Sequence, residues 1–405
     1  MKIVQVSHSD MPGERFSGYE LTNALCKQDV DCSMLVKNKK SQSSYVHRLH
    51  SGKAAPFLGH FEAIGKEYQL YNYISPWNRM IVHNKLWKEA DVVHYQFLRA
   101  FPISVVDLPM LFEGKKCVWT MHNFWPVTGG CLYPLTCQKY NQNCQECVRM
   151  DLGQPTEYIY SGEELERKRK SYQNADIEIV VSNFYMKKAI DKFHVFPSHK
   201  LHVIPFGLHD EEFGEDSGNR ECVRKKYLID EEKTVIGFRN DNSYIKGCQH
   251  IWNILRKKKL DNIVLMCVGG GSIPSDIKGK HKCIEFPWLG KEEMQQFYDA
   301  CDIFLMPSLA ETFGLMAIEA MARRCVVVCF KDTVLEEIVN APDCGVAVNY
   351  RNDEEFGVAV EKLINSKMER AIRAQKSLEF VQENYKFELY VKKSLELYES
   401  ILNRI

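Results

Sequence analysis

No stretch of the 405-residue chain approaches 18 consecutive apolar residues, so no segment reads as a membrane-crossing helix. Low-complexity tracts and tandem repeats are missing too, which excludes solenoid and disordered architectures. Charge of one sign is also lacking. The 53 Lys+Arg balance 53 Asp+Glu, so the overall charge gives no pull toward nucleic acid. Residues 1–150 hold 17 Lys+Arg against 12 Asp+Glu. That small excess reads as ordinary surface scatter and is compatible with peripheral contact at an anionic membrane. The opening run Met1-Lys2-Ile3-Val4-Gln5-Val6 turns polar at Ser7, the pattern of a buried strand and not of a secretory signal. The 15 cysteines, an odd number in a long chain without such a signal, point to a reducing compartment. The expected location is the cytoplasm, at most peripheral to the inner membrane surface.

What is present is hydrophobic patterning. The chain is 45% hydrophobic and too long for one core, which suits two domains. Short β-branched apolar runs fall at 2–6, 33–36, 91–95, 116–121, 177–181 and 201–204. A second set falls at 233–238, 262–268, 282–286, 302–306, 325–329 and 344–348. Near-continuous apolar runs of this kind are parallel strands covered on both faces. Helical patterns lie between them, such as 16–27, 184–192, 245–257, 291–300, 314–323 and 354–366. The alternation predicts two doubly wound, Rossmann-like α/β domains facing across a cleft. It weakens at 207–232, where Gly207, Gly214 and Gly218 fall among acidic residues. The domains are therefore placed at 1–206 and 207–386, and the helical stretch 387–405 is free to pack back on the first. Ligands of such sheets bind beyond the carboxyl ends of the strands.

The segment after strand 302–306 is the most informative. Pro307 and Ser308 end the strand, Glu311 stands in the loop, and a helix is expected to open near Phe313 with Glu319 more than a turn inside it. Gly314 lets the backbone approach a ligand. Amides of Thr312, Phe313, Gly314 and Leu315 would form an anion site that suits a diphosphate. Arg239 and Lys246, after strand 233–238, supply two cations for the same leaving group.

This pattern resembles the E-x(7)-E motif of the retaining glycosyltransferases of family 4, which have the GT-B fold, and the resemblance runs along nearly the whole chain. It implies transfer of a sugar from a nucleotide-diphosphate donor to a saccharide or lipid-linked saccharide acceptor. Glu311 would contact the donor sugar, Glu319 the ribose, and the amides of residues 313–315 the diphosphate. His122, at the end of Val118-Trp119-Thr120-Met121, would reach the reacting carbon, and His94 resembles a second strand-end His of the family. Trp288, in the loop after strand 282–286, either stacks on the nucleobase or plugs the core. Two features depart from the family pattern. Arg239 and Lys246 are seven apart where five is usual, and the first loop keeps only Gly13 of a Gly-Gly pair, beside Glu14. Asp29-Val30-Asp31 is an Asp-x-Asp spacing in a surface turn, so no catalytic metal is expected. A nucleotide-sugar 2-epimerase of the same fold and a non-catalytic nucleotide-sugar-binding protein are the alternative readings.

Cys131, Cys137, Cys144 and Cys147 fall within 17 residues, inside an insertion at 129–150. Four thiolates suit a structural zinc; reduced thiols and disulfides are the other readings. The run Thr120 to Cys131 is similar to a subgroup of the family from bacterial exopolysaccharide, colanic-acid-type pathways, which implies a role in surface polysaccharide synthesis.

Overall fold

The computed structural model describes residues 1–404 except 51–54, 68–72, 74, 102, 150–155, 158, 159, 215–217 and 242. The chain forms two compact units. The first comprises residues 1–149, 155–206 and 390–405, and the second contains 207–389.

The first unit is built on a parallel sheet of β1 (Lys2–Ser9), β2 (Asp31–Asn38), β3 (Val46–Arg48), β4 (Val92–Tyr95), β5 (Lys116–Thr120), β8 (Ile177–Val181) and β9 (Leu201–Val203). A two-residue antiparallel pair, β6 (Val148–Arg149) and β7 (Thr156–Glu157), stands apart from it. The sheet order is β3-β2-β1-β4-β5-β8-β9. The second unit carries β10 (Thr234–Arg239), β11 (Ile263–Val268), β12 (Lys282–Phe286), β13 (Ile303–Met306), β14 (Val326–Phe330) and β15 (Val346–Val348). Its order is β12-β11-β10-β13-β14-β15, again parallel. Every residue of β4, β11, β13 and β14 is buried, as strands covered on both faces require.

Both sheets reverse their winding direction between two central strands, β1 and β4 in the first unit and β10 and β13 in the second. Connections on either side of such a switch leave in opposite directions and open a crevice at the carboxyl ends. In the first unit the flanking loops carry Gly13 after β1 and Gln96 after β4. In the second they are 240–247 after β10 and 307–314 after β13.

Several elements differ from the sequence pattern. The expected helix 16–27 is two helices, Glu14–Ser17 and Tyr19–Lys27, because Gly18 between them is left-handed (φ 86°). The expected linker 207–232 includes the helix Gly218–Lys226. Polar helices such as Ser161–Tyr172 and Lys367–Asn384 lack a strong apolar stripe and were not anticipated. Within the second unit the chain pairs with itself where it enters and leaves. Leu208 N–H donates to Tyr385 O (2.7 Å) and Phe387 N–H to Leu208 O (2.8 Å). The helix Phe387–Leu402 follows, and from Tyr390 onward it belongs to the first unit.

Candidate functional site

In the second unit, Gly314 and Gly247 set the backbone of the site. Gly314 is left-handed (φ 89°, ψ 47°) and starts the helix Leu315–Ala322, with no side chain capping it. The helix therefore opens two residues later than the sequence suggested, since a left-handed residue ends the regular backbone. First-turn amides without a cap are donors for an anion. Gly247 (φ 74°) follows the short turn Tyr244–Lys246, and a Cβ there would lie 1.9 Å from Pro307 O. Only glycine lets the loop after β10 press on the end of β13.

That contact brings Lys246 to Glu311. Lys246 Nζ donates to Glu311 Oε1 (2.6 Å), which also accepts from Ser308 Oγ (3.1 Å). Arg239 is held differently. Its Nε and Nη2 meet Asp241 Oδ2 at 2.7 and 2.5 Å, and its guanidinium lies 4.8 Å from the ring centre of Trp288. The expected joint action of Arg239 and Lys246 is thus divided, each cation resting on its own carboxylate. Trp288 is 57% exposed, which removes the core-plug reading. Glu319, partly exposed on the helix, accepts from Tyr298 Oη (2.9 Å), and burial pushes the Tyr298 phenol well above its ordinary value. Phe313 is buried and packs edge-on against Tyr385, so its side chain serves the core.

In the first unit, His122 follows β5. Its Nε2 lies 3.0 Å from Gln96 Oε1, and burial lowers its pKa from 6.5 to about 3. The ring is neutral at ordinary pH and acts through hydrogen bonds, not as a cation. His94 is no surface ligand. It is buried inside β4, with Nδ1 2.6 Å from Tyr398 Oη and Nε2 2.7 Å from Thr120 Oγ1. Gly13 is left-handed (φ 84°) with open space beside it. The loop around it is pinned by Asp10, whose carboxylate accepts from the Met11, Lys40 and Ser41 amides.

The cysteine insertion packs against the helix Ser161–Tyr172. Lys168 and Glu164 form a fully buried ion pair (2.5 Å), and Lys168 also donates to Trp125 O and Thr128 O. Cys131, Cys137, Cys144 and Cys147 carry free thiols. Among the described residues no group of three or more His, Cys, Asp or Glu is placed to hold a metal ion. Cys144 is buried, its Sγ accepts from Gly129 N–H (3.3 Å), and burial raises its pKa.

Three polar partners of the site were not singled out in the sequence, Asp241, Tyr298 and Gln96, and Ser308 was named there only as the end of its strand. Gln5 offered a signal for Gln96. A polar residue in the buried middle of a strand needs a buried partner, and Gln5 Oε1 accepts from Gln96 Nε2 (3.0 Å).

Among the described residues no helix is long and apolar enough to cross a membrane. Residues 17–212 match the model of Glycosyltransferase Family 4, and residues 219–379 that of the glycosyl transferases group 1. An uncharacterized glycosyltransferase of Methanocaldococcus jannaschii, MJ1607, is 22% identical over 238 residues, 56% of this chain and 60% of the relative. A D-inositol 3-phosphate glycosyltransferase of Corynebacterium urealyticum is 27% identical over 250 residues, 56% of this chain and 57% of the relative. The chain thus spans about three fifths of the length of these curated relatives. Of the solved structures, a sucrose-phosphate synthase from Thermosynechococcus elongatus superposes with a TM-score of 0.70 at 16% identity, covering 99% of each chain. Anabaena HepE in complex with UDP and glucose gives 0.69 at 14%, covering 99% of this chain and 100% of that one. At such identities the likeness shows the fold, two parallel-sheet α/β domains of the GT-B type. With the two family models taking in most of both units, the chain belongs to the glycosyltransferases of the family 4, group 1 type.

Proposed function

We propose that the chain transfers a glycosyl group, with retention of anomeric configuration, from a nucleoside-diphosphate sugar to a saccharide or lipid-linked saccharide in surface polysaccharide synthesis. The observation that carries this reading is the uncapped helix Leu315–Ala322 at the switch point of the second sheet, with Glu311 before it and Glu319 on it. Its first-turn amides, Arg239 and Lys246 meet the diphosphate. Glu319 takes the ribose diol, Trp288 the base, and Glu311 the hydroxyls of the donor sugar. The solved complexes of HepE with UDP and with UDP-glucose support a nucleotide-sugar donor for a protein of this fold. Protein cations and amides compensate the leaving charge, so the reading asks for no catalytic metal.

In the step itself, the bond between the anomeric carbon and the diphosphate oxygen breaks. The acceptor oxygen bonds to the same face of that carbon, and the acceptor's hydroxyl proton passes to the departing diphosphate. His122 is proposed to hydrogen-bond the donor sugar, and Gly13 to leave room for substrate beside the first loop.

A thermal-shift screen of nucleoside-diphosphate sugars tests the reading. A ligand at 100 times its Kd adds about 2.7 kcal/mol. Glu319→Ala is expected to weaken donor binding, and Glu311→Ala to lower turnover chiefly. A protein that binds and cleaves no nucleotide sugar, or kinetics unchanged in both variants, overturns it.

A further inference from the structure

His122 stacks between Phe97 (ring centres 4.1 Å apart, planes at 17°) and Phe206 (5.6 Å, 20°), and Phe16 meets it edge-on at 6.0 Å. The residue as a whole is half-buried. The contact at Nε2 is directional. Gln5 Nε2 donates to Tyr398 Oη (3.1 Å), which turns the Gln5 carbonyl toward Gln96. Gln96 Nε2 donates to that carbonyl, which turns the Gln96 carbonyl toward His122 (3.0 Å). A carbonyl only accepts, so the hydrogen of the neutral imidazole sits on Nε2 and the lone pair on Nδ1. Gln5, Gln96, Thr120, His94 and Tyr398 are all buried, so water does not scramble the chain of bonds.

The titratable groups around the ring agree with this. Burial is the cause that lowers the His122 pKa. His94, behind Gln96, is itself held down to about 3 by burial and by His122. Tyr390 and Tyr398 are raised by burial. Arg15, beside Phe16 on the helix Glu14–Ser17, and Glu20, on the following helix, pair with each other at 3.2 Å.

We propose that Gln96 is a positioning residue that holds His122 as the Nε2–H tautomer, so that Nδ1 accepts a hydrogen bond from a hydroxyl of the donor sugar. The inference rests on the reading of His122 as a donor-sugar group. It deepens that reading into a specificity rule. The contacted sugar position has to carry a hydrogen-bond donor, so a deoxyfluoro analogue at that position, close to the hydroxyl in size but unable to donate, is rejected.

The test begins with the full-length protein labelled with ¹⁵N-histidine. The ring signals of His122 are assigned by their loss in His122→Phe. Between about pH 6 and 8 the wild-type signals are expected to show a protonated Nε2 and a bare Nδ1. The opposite tautomer, or an averaged pair, overturns the proposal without any assay of activity. Gln96→Leu is expected to average the two tautomers and to lower kcat/KM for the accepted nucleotide sugar by about tenfold. Unchanged signals with unchanged kcat/KM overturn it. Gln96→Glu keeps an acceptor at Nε2 and adds a negative charge, so kcat/KM is expected to gain an acid limb between about pH 5 and 8 that the wild type lacks. Should the tautomer be as stated while no nucleotide sugar is bound or turned over, the transferase reading falls and the hold of Gln96 on the His122 proton stands.

Discussion

Lys246 Nζ lies 2.6 Å from Glu311 Oε1, an ion pair that ties the loop after β10 to the loop after β13. The two side chains are 18% and 9% exposed, so the pair is largely out of water, where losing one partner costs most. On the proposed reading each is the other's counter-ion until the donor arrives. The diphosphate then offers Lys246 a new anion, and Glu311 is left to meet the sugar.

Removing one member of that pair is expected to hurt more than removing both charges. Lys246→Met strands a mostly buried carboxylate and should lower stability by about 1–3 kcal/mol. Adding Glu311→Gln should restore part of it, with a coupling above about 0.5 kcal/mol in a double-mutant cycle. Urea unfolding of the four proteins decides. Additive effects would mean that the contact contributes nothing.

Gly247→Ala is expected to disturb fold and site together. The new Cβ would meet Pro307 O at 1.9 Å, and the residue would have to keep φ near 74°. Strain of this kind costs about 1–3 kcal/mol. The loop after β10 can relieve it only by moving off β13, which parts Lys246 from Glu311. A lower Tm accompanied by weaker nucleotide-sugar binding is the expected outcome. A variant with unchanged Tm would show that the loop does not press on β13.

Much of this was readable in the chain itself. All twelve expected strand runs are strands, and the clearest of them, such as β11, β13 and β14, are buried throughout, where near-continuous apolar residues are required. The E-x(7)-E spacing put Glu311 and Glu319 on either side of a helix start for a local reason, the left-handed Gly314. Most of what escaped was set by tertiary contact. Glu311 taking Lys246 joins the loops after two different strands, and Tyr298 taking Glu319 joins two helices, while Asp241 takes Arg239 from two residues away through the local turn after β10. The contacts of Cys144, whose Sγ accepts from Gly129 N–H and whose carbonyl accepts from Ser161 Oγ, were likewise beyond what cysteine spacing encodes. The helix Lys367–Asn384 escaped because only Ser377, Leu378 and Val381 of its 18 residues are buried.

His94 should make the fold sensitive to mild acid. Burial and the neighbouring His122 depress its folded pKa to about 3, from 6.5 in the unfolded chain. Between those values the unfolded chain binds a proton that the folded protein does not. The stability is therefore fully present above about pH 6.5 and drains as pH falls, by up to roughly 1.4 kcal/mol per unit. Urea midpoints from pH 7 to 5, above most carboxylate titrations, read the effect together with that of His122, whose pKa burial lowers in the same way. His94→Gln should make the slope in that window shallower, leaving the part that belongs to His122. An equally steep slope in the variant would place the acid sensitivity elsewhere.

Trp288 separates ligand binding from folding better than any other side chain of the site. It is 57% exposed and stands over the Arg239 guanidinium. Truncating an exposed side chain rarely changes stability by more than about 0.5 kcal/mol, so Trp288→Ala should unfold at nearly the wild-type urea concentration. Stacking of a base on an aromatic ring contributes about 1–3 kcal/mol. The variant should therefore bind a nucleoside diphosphate tenfold or more weakly, while the loss for inorganic pyrophosphate, which has no base, should be small. Titration calorimetry with both ligands reads the difference directly. Equal losses for the two would mean that Trp288 acts by steadying Arg239 and not by holding the base, and no loss for either would remove it from the site.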